Sequence, residues 1–273
     1  MTRRRFLVMA RAGNTSLHRK WLQGGERNFD LYLSCYGDRP QEYAGDAEVL
    51  REMKSTKWPA WNHHILEESE LVASYAAVWF PDDDLLIDAA GISKMFDLFM
   101  AFDLALAQPA LSHDSHFSHP ILLRDASYVL RYTNFVEVMG PVFSREALFH
   151  LHPTFAQSRT GWGLDYLWPY LLAEGGMGAK IGVIDAVSMT HTRPVGGGDI
   201  YQGQVGAGAA DLARLAELYP AARIDSRYQS QNLRINGGIK SSGPRSGFLA
   251  RIHARYAVFL AKRASRRTPK FRP

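Results

Sequence analysis

The sequence predicts a single α/β domain built on a wound sheet with helices on its faces. The first 38 residues alternate a strand over residues 5–10, a helix over residues 16–22 and a second strand over residues 29–35. A chain of 273 residues with 46% hydrophobic positions can bury such a core without disulfides. No internal repeat or linker divides the chain before its C-terminal part. We therefore expect one domain over residues 1–239 and an extension over residues 240–273.

The elements after residue 38 follow from apolar runs and from their periodicity. We predict strands over residues 75–80, 135–143 and 181–189. We predict helices over residues 61–69, 92–107, 164–174 and 210–219. The helix over residues 92–107 has the clearest apolar stripe, because Met95, Phe96 and Phe99 recur at helical spacing. Residues 194–208 are rich in glycine, which is typical of a mobile loop.

Positive charge is concentrated at the C-terminus. Residues 240–273 contain ten lysine and arginine residues and no acid, so residues 1–239 carry a formal charge of −5 within a total of +5. Apolar residues from Phe248 to Leu260 recur at helical spacing between these cations. This pattern is typical either of a terminal helix docked on its own domain or, over residues 245–273, of a helix on an anionic membrane surface. We expect no nucleic-acid partner, because the rest of the chain is acidic and has no base-reading module.

Composition excludes several classes of protein. Cys35 is the single cysteine, which excludes an intramolecular disulfide framework and a cysteine-rich zinc module. No apolar run approaches the roughly 20 residues of a membrane-spanning helix. The apolar run that begins at Phe6 ends before Arg11, whereas a secretory signal needs about 7–15 apolar residues. P-loop and dinucleotide-binding glycine motifs are absent. We therefore expect a cytoplasmic protein, peripheral at the inner face of the membrane if the C-terminal segment binds lipid.

Three consecutive carboxylates follow the predicted strand over residues 75–80. Asp82, Asp83 and Asp84 come directly after Pro81, and like charges a few ångströms apart repel one another. A divalent cation offsets that repulsion, and hard oxygen ligands suit Mg²⁺ or Mn²⁺. In open α/β sheets, ligands bind at the carboxyl ends of the strands, where these acids would lie. A solvated acidic turn that caps the next helix has the same pattern, and this motif alone does not separate the two interpretations.

Four other polar residues are candidates for a site. Asp165 is predicted in the first turn of a helix, where the helix dipole favours either a general base or a simple cap. His191 follows the strand over residues 181–189 and is either a metal ligand or a structural histidine. Glu137 lies among apolar residues, either as a buried site carboxylate or on the outward face of a strand. His119 is the best candidate for a substrate contact in the histidine-rich segment over residues 113–119.

The order of these motifs resembles nucleotide-sugar glycosyltransferases of the GT-A fold. A strand precedes Asp-x-Asp, then comes Trp-Gly-x-Asp over residues 162–165, and then a strand that leads to His191. The closer likeness is to a glycosyltransferase-like group of bacterial and plant proteins that contain a domain of unknown function. It covers most of residues 5–200, including the Arg-Ala-Gly turn at Arg11 and the segment over residues 108–111. The resemblance implies a single GT-A-like, Rossmann-related mixed sheet flanked by helices.

The resemblance also implies a metal site and a base. Asp82 and Asp84 match the ends of Asp-x-Asp and would bind the metal, with His191 as a further ligand. Asp165 matches the acid that deprotonates the acceptor hydroxyl in inverting members. Leu164 stands where the galactosyltransferase-like motif usually has a second carboxylate, which leaves the role of Asp165 and the stereochemistry open.

The resemblance implies a donor site and an activity. The residues expected to contact the nucleotide or the diphosphate are Arg11, Lys57, Asp82 and Asp83. The implied reaction uses Mn²⁺ or Mg²⁺ and moves a sugar from a nucleoside-diphosphate donor to a hydroxyl of a glycan or lipid-linked acceptor. Asp165 favours inversion. Two alternatives stay open, namely a nucleotidyltransferase that uses the same acids and an inactive glycan-binding or scaffold protein.

Overall fold

The structure is a computed structural model that describes residues 3–194, 206–224 and 232–241. These residues form a mixed sheet of ten strands flanked by helices, which confirms the predicted fold class. The last strand, Ile235–Lys240, runs across the predicted domain boundary at residues 239 and 240. The rest of the predicted extension, from residue 242 onward, lies outside the described residues, as do residues 195–205 of the predicted glycine-rich loop.

The elements alternate along the chain as an α/β fold requires. The strands are β1 (Phe6–Ala12), β2 (Phe29–Cys35), β3 (Val49–Glu52), β4 (Ala77–Trp79), β5 (Leu85–Leu86), β6 (Leu106–Leu111), β7 (Tyr128–Thr133), β8 (Val142–Ser144), β9 (Ile181–His191) and β10 (Ile235–Lys240). The helices are α1 (His18–Trp21), α2 (Lys57–Glu67), α3 (Ser69–Ala73), α4 (Ala89–Ala101), α5 (Arg145–Leu151), α6 (Leu164–Glu174) and α7 (Ala207–Leu218).

Strand direction brings several loops to one edge of the sheet. The strand order is β10-β7-β9-β6-β8-β4-β1-β2-β3, and β5 pairs with β9 beside this path. The strands β1, β2, β4, β6 and β9 run in one direction, while β7 and β8 are antiparallel to their neighbours. The carboxyl ends of β1, β4, β6 and β9 therefore meet at the same edge, which is where ligands bind in sheets of this kind.

Apolar side chains cover both faces of the sheet. On one face Phe96 of α4 stacks on Phe6 of β1, with ring centroids 4.6 Å apart. On the other face Trp58 of α2 packs edge-on against Phe155 and against Trp168 of α6. All of these rings are buried, so the helices are fixed to the sheet by large apolar contacts. Within the described part of the chain, no helix is long and apolar enough to cross a membrane.

The prediction of a helix over residues 92–107 is wrong at its C-terminal end. The helix α4 ends at Ala101, and Asp103 adopts a φ of 50° in the left-handed region. A backbone of that hand cannot continue a right-handed helix. Leu106, which lies within the predicted helix, instead begins β6 and is buried in the sheet. The apolar spacing therefore spans two elements that a single turn separates.

The prediction of a strand over residues 135–143 is also wrong for most of its length. The strand β8 begins only at Val142, and the preceding residues form an irregular turn in which the Gly140 amide bonds the Glu137 carbonyl. The Lys57 ammonium donates hydrogen bonds to the carbonyls of Val138 and Met139. The Val138 carbonyl therefore bonds a buried side chain, and the Met139 carbonyl is shared between that side chain and the Asp82 amide at 2.7 Å. The strand β7, which precedes this turn in the chain, and the edge strand β3 have no counterpart in the sequence prediction.

Candidate active site

Asp82 is held by a buried lysine. The Lys57 ammonium donates to Asp82 Oδ1 at 2.7 Å and to the carbonyls of Val138 and Met139 at 2.8 and 3.1 Å. The lysine is 6% exposed, and burial lowers its pKa, although the charge of Asp82 acts in the opposite direction. Lys57 thus neutralises the first carboxylate and fixes the turn over residues 137–140 beside it.

Asp83 faces the loop that follows β1. Its Oδ2 accepts hydrogen bonds from the Gly13 amide at 2.7 Å and from the Tyr36 hydroxyl at 3.3 Å. The guanidinium of Arg193 lies 3.7 Å from the other carboxylate oxygen. Burial raises the pKa of Asp83 to about 6 despite the Gly13 hydrogen bond. Asp83 therefore ties the end of β1 to the end of β4.

Asp84 lies against His191 at the end of β9. Its Oδ2 is 3.4 Å from His191 Nε2, and the backbone of Thr192 bonds the Asp84 carbonyl. His191 Nδ1 is 2.9 Å from the His116 carbonyl, which can only accept a hydrogen bond. Nδ1 therefore carries a proton, and Nε2 is directed at the carboxylate. Burial opposes a charged ring, but Asp84 outweighs it and raises the pKa of His191 to about 9.

The chemistry of the Asp84 and His191 pair fits a divalent cation. Asp84 Oδ1 is buried and has no hydrogen-bond partner among the described residues, so one hard oxygen is left to bind a ligand. A cation at Nε2 would replace the proton that Asp84 now stabilises. No three histidine, cysteine or acidic side chains of the described residues are grouped closely enough to hold an ion by themselves. The remaining ligands would come from water or a substrate phosphate, as is usual for Mg²⁺.

Asp165 is buried in the first turn of α6. Gly161 and Gly163 precede it with φ values of 89° and 91°, in the left-handed region that favours glycine. A Cβ at Gly161 would lie 2.5 Å from the Trp58 indole nitrogen, so the loop needs a glycine there for space as well. Burial raises the pKa of Asp165 to about 7, although the Tyr166 amide donates to its carboxylate. A carboxyl with this pKa suits a general base near neutral pH.

The loop before Asp165 is anchored by α7. Asp211, 8% exposed, accepts hydrogen bonds from the Thr160 amide at 2.6 Å, from the Thr160 hydroxyl at 2.7 Å and from the Ser158 hydroxyl at 3.1 Å. Ser158 in turn accepts a hydrogen bond from the Gly161 amide. Asp211 therefore fixes the backbone that leads into the first turn of α6.

A second buried carboxyl, that of Glu137, is affected by the negative charge of Asp165. Glu137 is 8% exposed, its Oε2 has no hydrogen-bond partner among the described residues, and its amide donates to buried Gln108 at 2.7 Å. Burial, followed by the negative charge of Asp165, raises the pKa of Glu137 to about 8. Leu164, the position where the resemblance expects a carboxylate, is buried in the core instead.

Arg11 and His119 have surroundings that the sequence does not indicate. The Arg11 guanidinium is 3% exposed and bonds Ser34 and the carbonyls of Met53 and Ser55, so it fixes the loop after β3. The ring of His119 is 4.5 Å from the ring of Phe135, and burial lowers the pKa of His119 to about 4.

The structure therefore brings most of the predicted site residues to one edge of the sheet. The charges of Asp82, Asp84 and His191 act on one another, and Lys57 contacts Asp82 directly. Sequence reasoning missed Arg193 and Asp211. Arg193 stands two residues after the predicted ligand His191, which is a usable signal. Asp211 is one of three charged residues in α7, with Arg214 and Glu217, and only the fold relates it to the loop before α6.

Comparisons with known proteins give a family match over part of the chain. Residues 130–208 match the model of a family described as a protein of unknown function, DUF707, and this stretch includes Glu137, Asp165 and His191. Among solved structures the chain is similar to S. aureus TarS, with a TM-score of 0.42 and 11% sequence identity. That alignment covers 78% of this chain and 42% of the TarS chain. No curated protein matches the sequence.

Removing the Asp211 carboxylate tests the anchoring of the loop. We expect Asp211→Ala to lower the free energy of unfolding by about 1.5–3 kcal/mol, because charged hydrogen bonds to a buried loop are lost. Hydrogen exchange at the amides of Gly161 and Trp162 should accelerate, as measured by NMR or mass spectrometry. Glu217→Ala, an exposed acid on the same helix, is the matched control. Unchanged exchange at these amides in Asp211→Ala would show that the loop holds its conformation without α7.

Proposed function

We propose that this chain is a metal-dependent glycosyltransferase that moves a sugar from a nucleoside diphosphate to a hydroxyl of a glycan or lipid-linked acceptor. One observation carries the proposal. Asp84, whose buried Oδ1 has no hydrogen-bond partner among the described residues, lies beside His191, and the charge of His191 acts on Glu137 together with that of Asp165, a buried carboxyl with a pKa of about 7. The first pair suits a cation and a diphosphate, and the second group suits removal of a proton from an acceptor.

The donor side consists of Asp84, His191 and the residues that hold them. Asp84 and His191 would hold Mn²⁺ or Mg²⁺, which would neutralise the charge that develops on the departing diphosphate. Lys57 keeps Asp82 neutralised and in place, while the Arg193 guanidinium adds positive charge next to Asp83. Asp83 binds the loop that begins at Gly13, and this loop would form one wall of the nucleotide site.

Asp165 performs the proton transfer on the acceptor side. The acceptor oxygen attacks the anomeric carbon and forms the new glycosidic bond. The bond between that carbon and the diphosphate oxygen breaks, and the diphosphate leaves with its electron pair. Asp165 takes the acceptor proton as the bond forms and later releases it to solvent. A single displacement of this kind inverts the configuration at the anomeric carbon.

Metal-dependent nucleotide binding tests the donor side. We expect thermal stabilisation by one nucleoside diphosphate, among UDP, GDP, ADP and CDP, in Mn²⁺ and not in EDTA. A ligand at about 100 times its Kd stabilises the folded protein by roughly 2.7 kcal/mol. Asp84→Asn should abolish the Mn²⁺-dependent part of the shift, because it removes a charged ligand. Asp114→Asn, an exposed acid near the same edge, is the control and should keep the full shift.

Two results would contradict the donor site. A folded wild-type protein that no nucleotide stabilises, with or without Mn²⁺, would favour the binding or scaffold alternative. An equal shift in wild type and Asp84→Asn would show that the cation binds elsewhere.

The pH dependence tests the base. Asp165 must be ionised to accept a proton, and its pKa is about 7, so turnover should rise with pH through about 7 and level above it. Asp165→Asn should lower kcat by about 10²–10⁴-fold. The assay is transfer or hydrolysis of a nucleotide sugar that carries the nucleoside diphosphate found to stabilise the protein. A full rate at pH 5 would exclude Asp165 as the base.

Stability gives an independent reading of the same carboxyl. The pKa of Asp165 is raised in the folded state, so this carboxyl contributes to the free energy of unfolding while it is protonated. The contribution is fully present below about pH 4 and is lost as the pH rises through 7. In metal-free protein, Asp165→Asn should flatten this part of the pH–stability curve measured by urea unfolding. An unchanged curve would show that burial does not raise the pKa of Asp165.

A further inference from the structure

Glu137 is a buried carboxyl with one oxygen that no described residue hydrogen-bonds. It is 8% exposed, and its Oε2 has no hydrogen-bond partner among the described residues. Buried acids that serve the fold are paired, as Asp185 is with Arg131 through two hydrogen bonds of 2.7 and 2.8 Å. An unpartnered buried carboxyl costs stability, so its presence points to a ligand that completes its hydrogen bonds.

The surroundings of Glu137 locate it between the two halves of the site. The charged groups that act on it are Asp165 from α6, His191 from β9, Asp82 after β4 and Lys57 from α2. Asp165 is the proposed base, whereas Asp82 and His191 belong to the donor side. In any transfer from a diphosphate on one side to an acceptor on the other, the transferred sugar lies between them. The geometry agrees, because a Cβ at Gly161, in the loop before Asp165, would lie 3.7 Å from Val138 Cβ, and the Asp82 amide bonds the Met139 carbonyl at 2.7 Å. The segment that carries Glu137 therefore borders both the turn at Asp82 and the loop that positions Asp165.

The backbone that carries Glu137 is rigid. Its amide donates to Gln108 Oε1, and Gln108 is fully buried in β6. The next two carbonyls, of Val138 and Met139, both bond the Lys57 ammonium. A carboxyl on such a support keeps its position before a ligand arrives, which is the property that a recognition group needs.

We propose that Glu137 contacts the transferred sugar and hydrogen-bonds one of its hydroxyls through Oε2. This inference rests on the proposed function and adds a residue that recognises the sugar separately from the nucleotide. Glu137 thereby discriminates between donors that share a nucleotide and differ in the hydroxyl they present. Donors that lack this hydroxyl would leave the buried carboxyl unpartnered and would bind less tightly.

The experiment compares a nucleotide sugar with its own nucleoside diphosphate. Kd values for UDP-glucose and UDP, and for GDP-mannose and GDP, are measured by calorimetry in Mn²⁺ for wild type, Glu137→Gln and Glu137→Ala. We expect Glu137→Ala to weaken binding of the nucleotide sugar about tenfold and to leave binding of the nucleoside diphosphate unchanged. Glu137→Gln keeps the shape and hydrogen-bonding capacity of the side chain, so its affinity for the nucleotide sugar should lie between those of wild type and Glu137→Ala. Glu174→Gln, an exposed acid on α6, is the control and should match wild type.

The outcomes separate this inference from the proposed function. Equal loss of affinity for the nucleotide sugar and the nucleoside diphosphate in both variants would assign Glu137 a structural role and overturn the inference. Unchanged affinities for both would overturn it as well, while Mn²⁺-dependent binding by wild type would leave the proposed function standing. A wild-type protein that binds neither these nucleotides nor ADP or CDP in Mn²⁺ would overturn both. Urea unfolding of Glu137→Gln identifies a folding defect, because loss of an unpaired buried carboxyl should not lower stability.

Discussion

The site depends on the crowding of three consecutive carboxylates after β4, of which Asp83 and Asp84 are buried and Asp82 is partly exposed. Taking each charge out of water costs several kcal/mol unless a partner compensates it, and one partner cannot serve three neighbours. The chain meets this constraint from three directions, with Lys57 for Asp82, the Gly13 amide for Asp83 and His191 for Asp84. The helix α2, the loop after β1 and the end of β9 are therefore brought together by one segment.

The compensation is incomplete, and this incompleteness points to function. Oxygens of Asp84 and Glu137 are buried without hydrogen-bond partners among the described residues, and Asp165 has its pKa raised by burial. Elsewhere the fold satisfies buried acids well, as Asp211 shows with three hydrogen bonds to the loop over residues 158–160. The unsatisfied buried groups, which cost stability, are therefore those at which a cation, a sugar and a proton are proposed to bind. The residues that support the site have satisfied hydrogen bonds.

The sequence predicts the class of fold because strand and helix periodicities are local. It also predicts that polar residues at strand ends share one edge, which brings Asp84 and His191 together. The prediction fails at residues 102–107 and 135–141, where a left-handed Asp103 and the Lys57 ammonium replace regular hydrogen bonding. Glu137 could be noticed but not assigned, since the choice between a strand face and a site depends on contacts with Lys57 that are distant in sequence.

The proposed metal site is tested most directly by the position of Mn²⁺ in crystals grown with Mn²⁺ and the nucleoside diphosphate that stabilises the protein. Anomalous scattering locates the ion without any assumption about its ligands. We expect a peak in coordination contact with Asp84 Oδ1 and His191 Nε2, with phosphate oxygens on its open side. A bound nucleotide whose Mn²⁺ lies elsewhere, with His191 still hydrogen-bonded to Asp84, would contradict the proposed site.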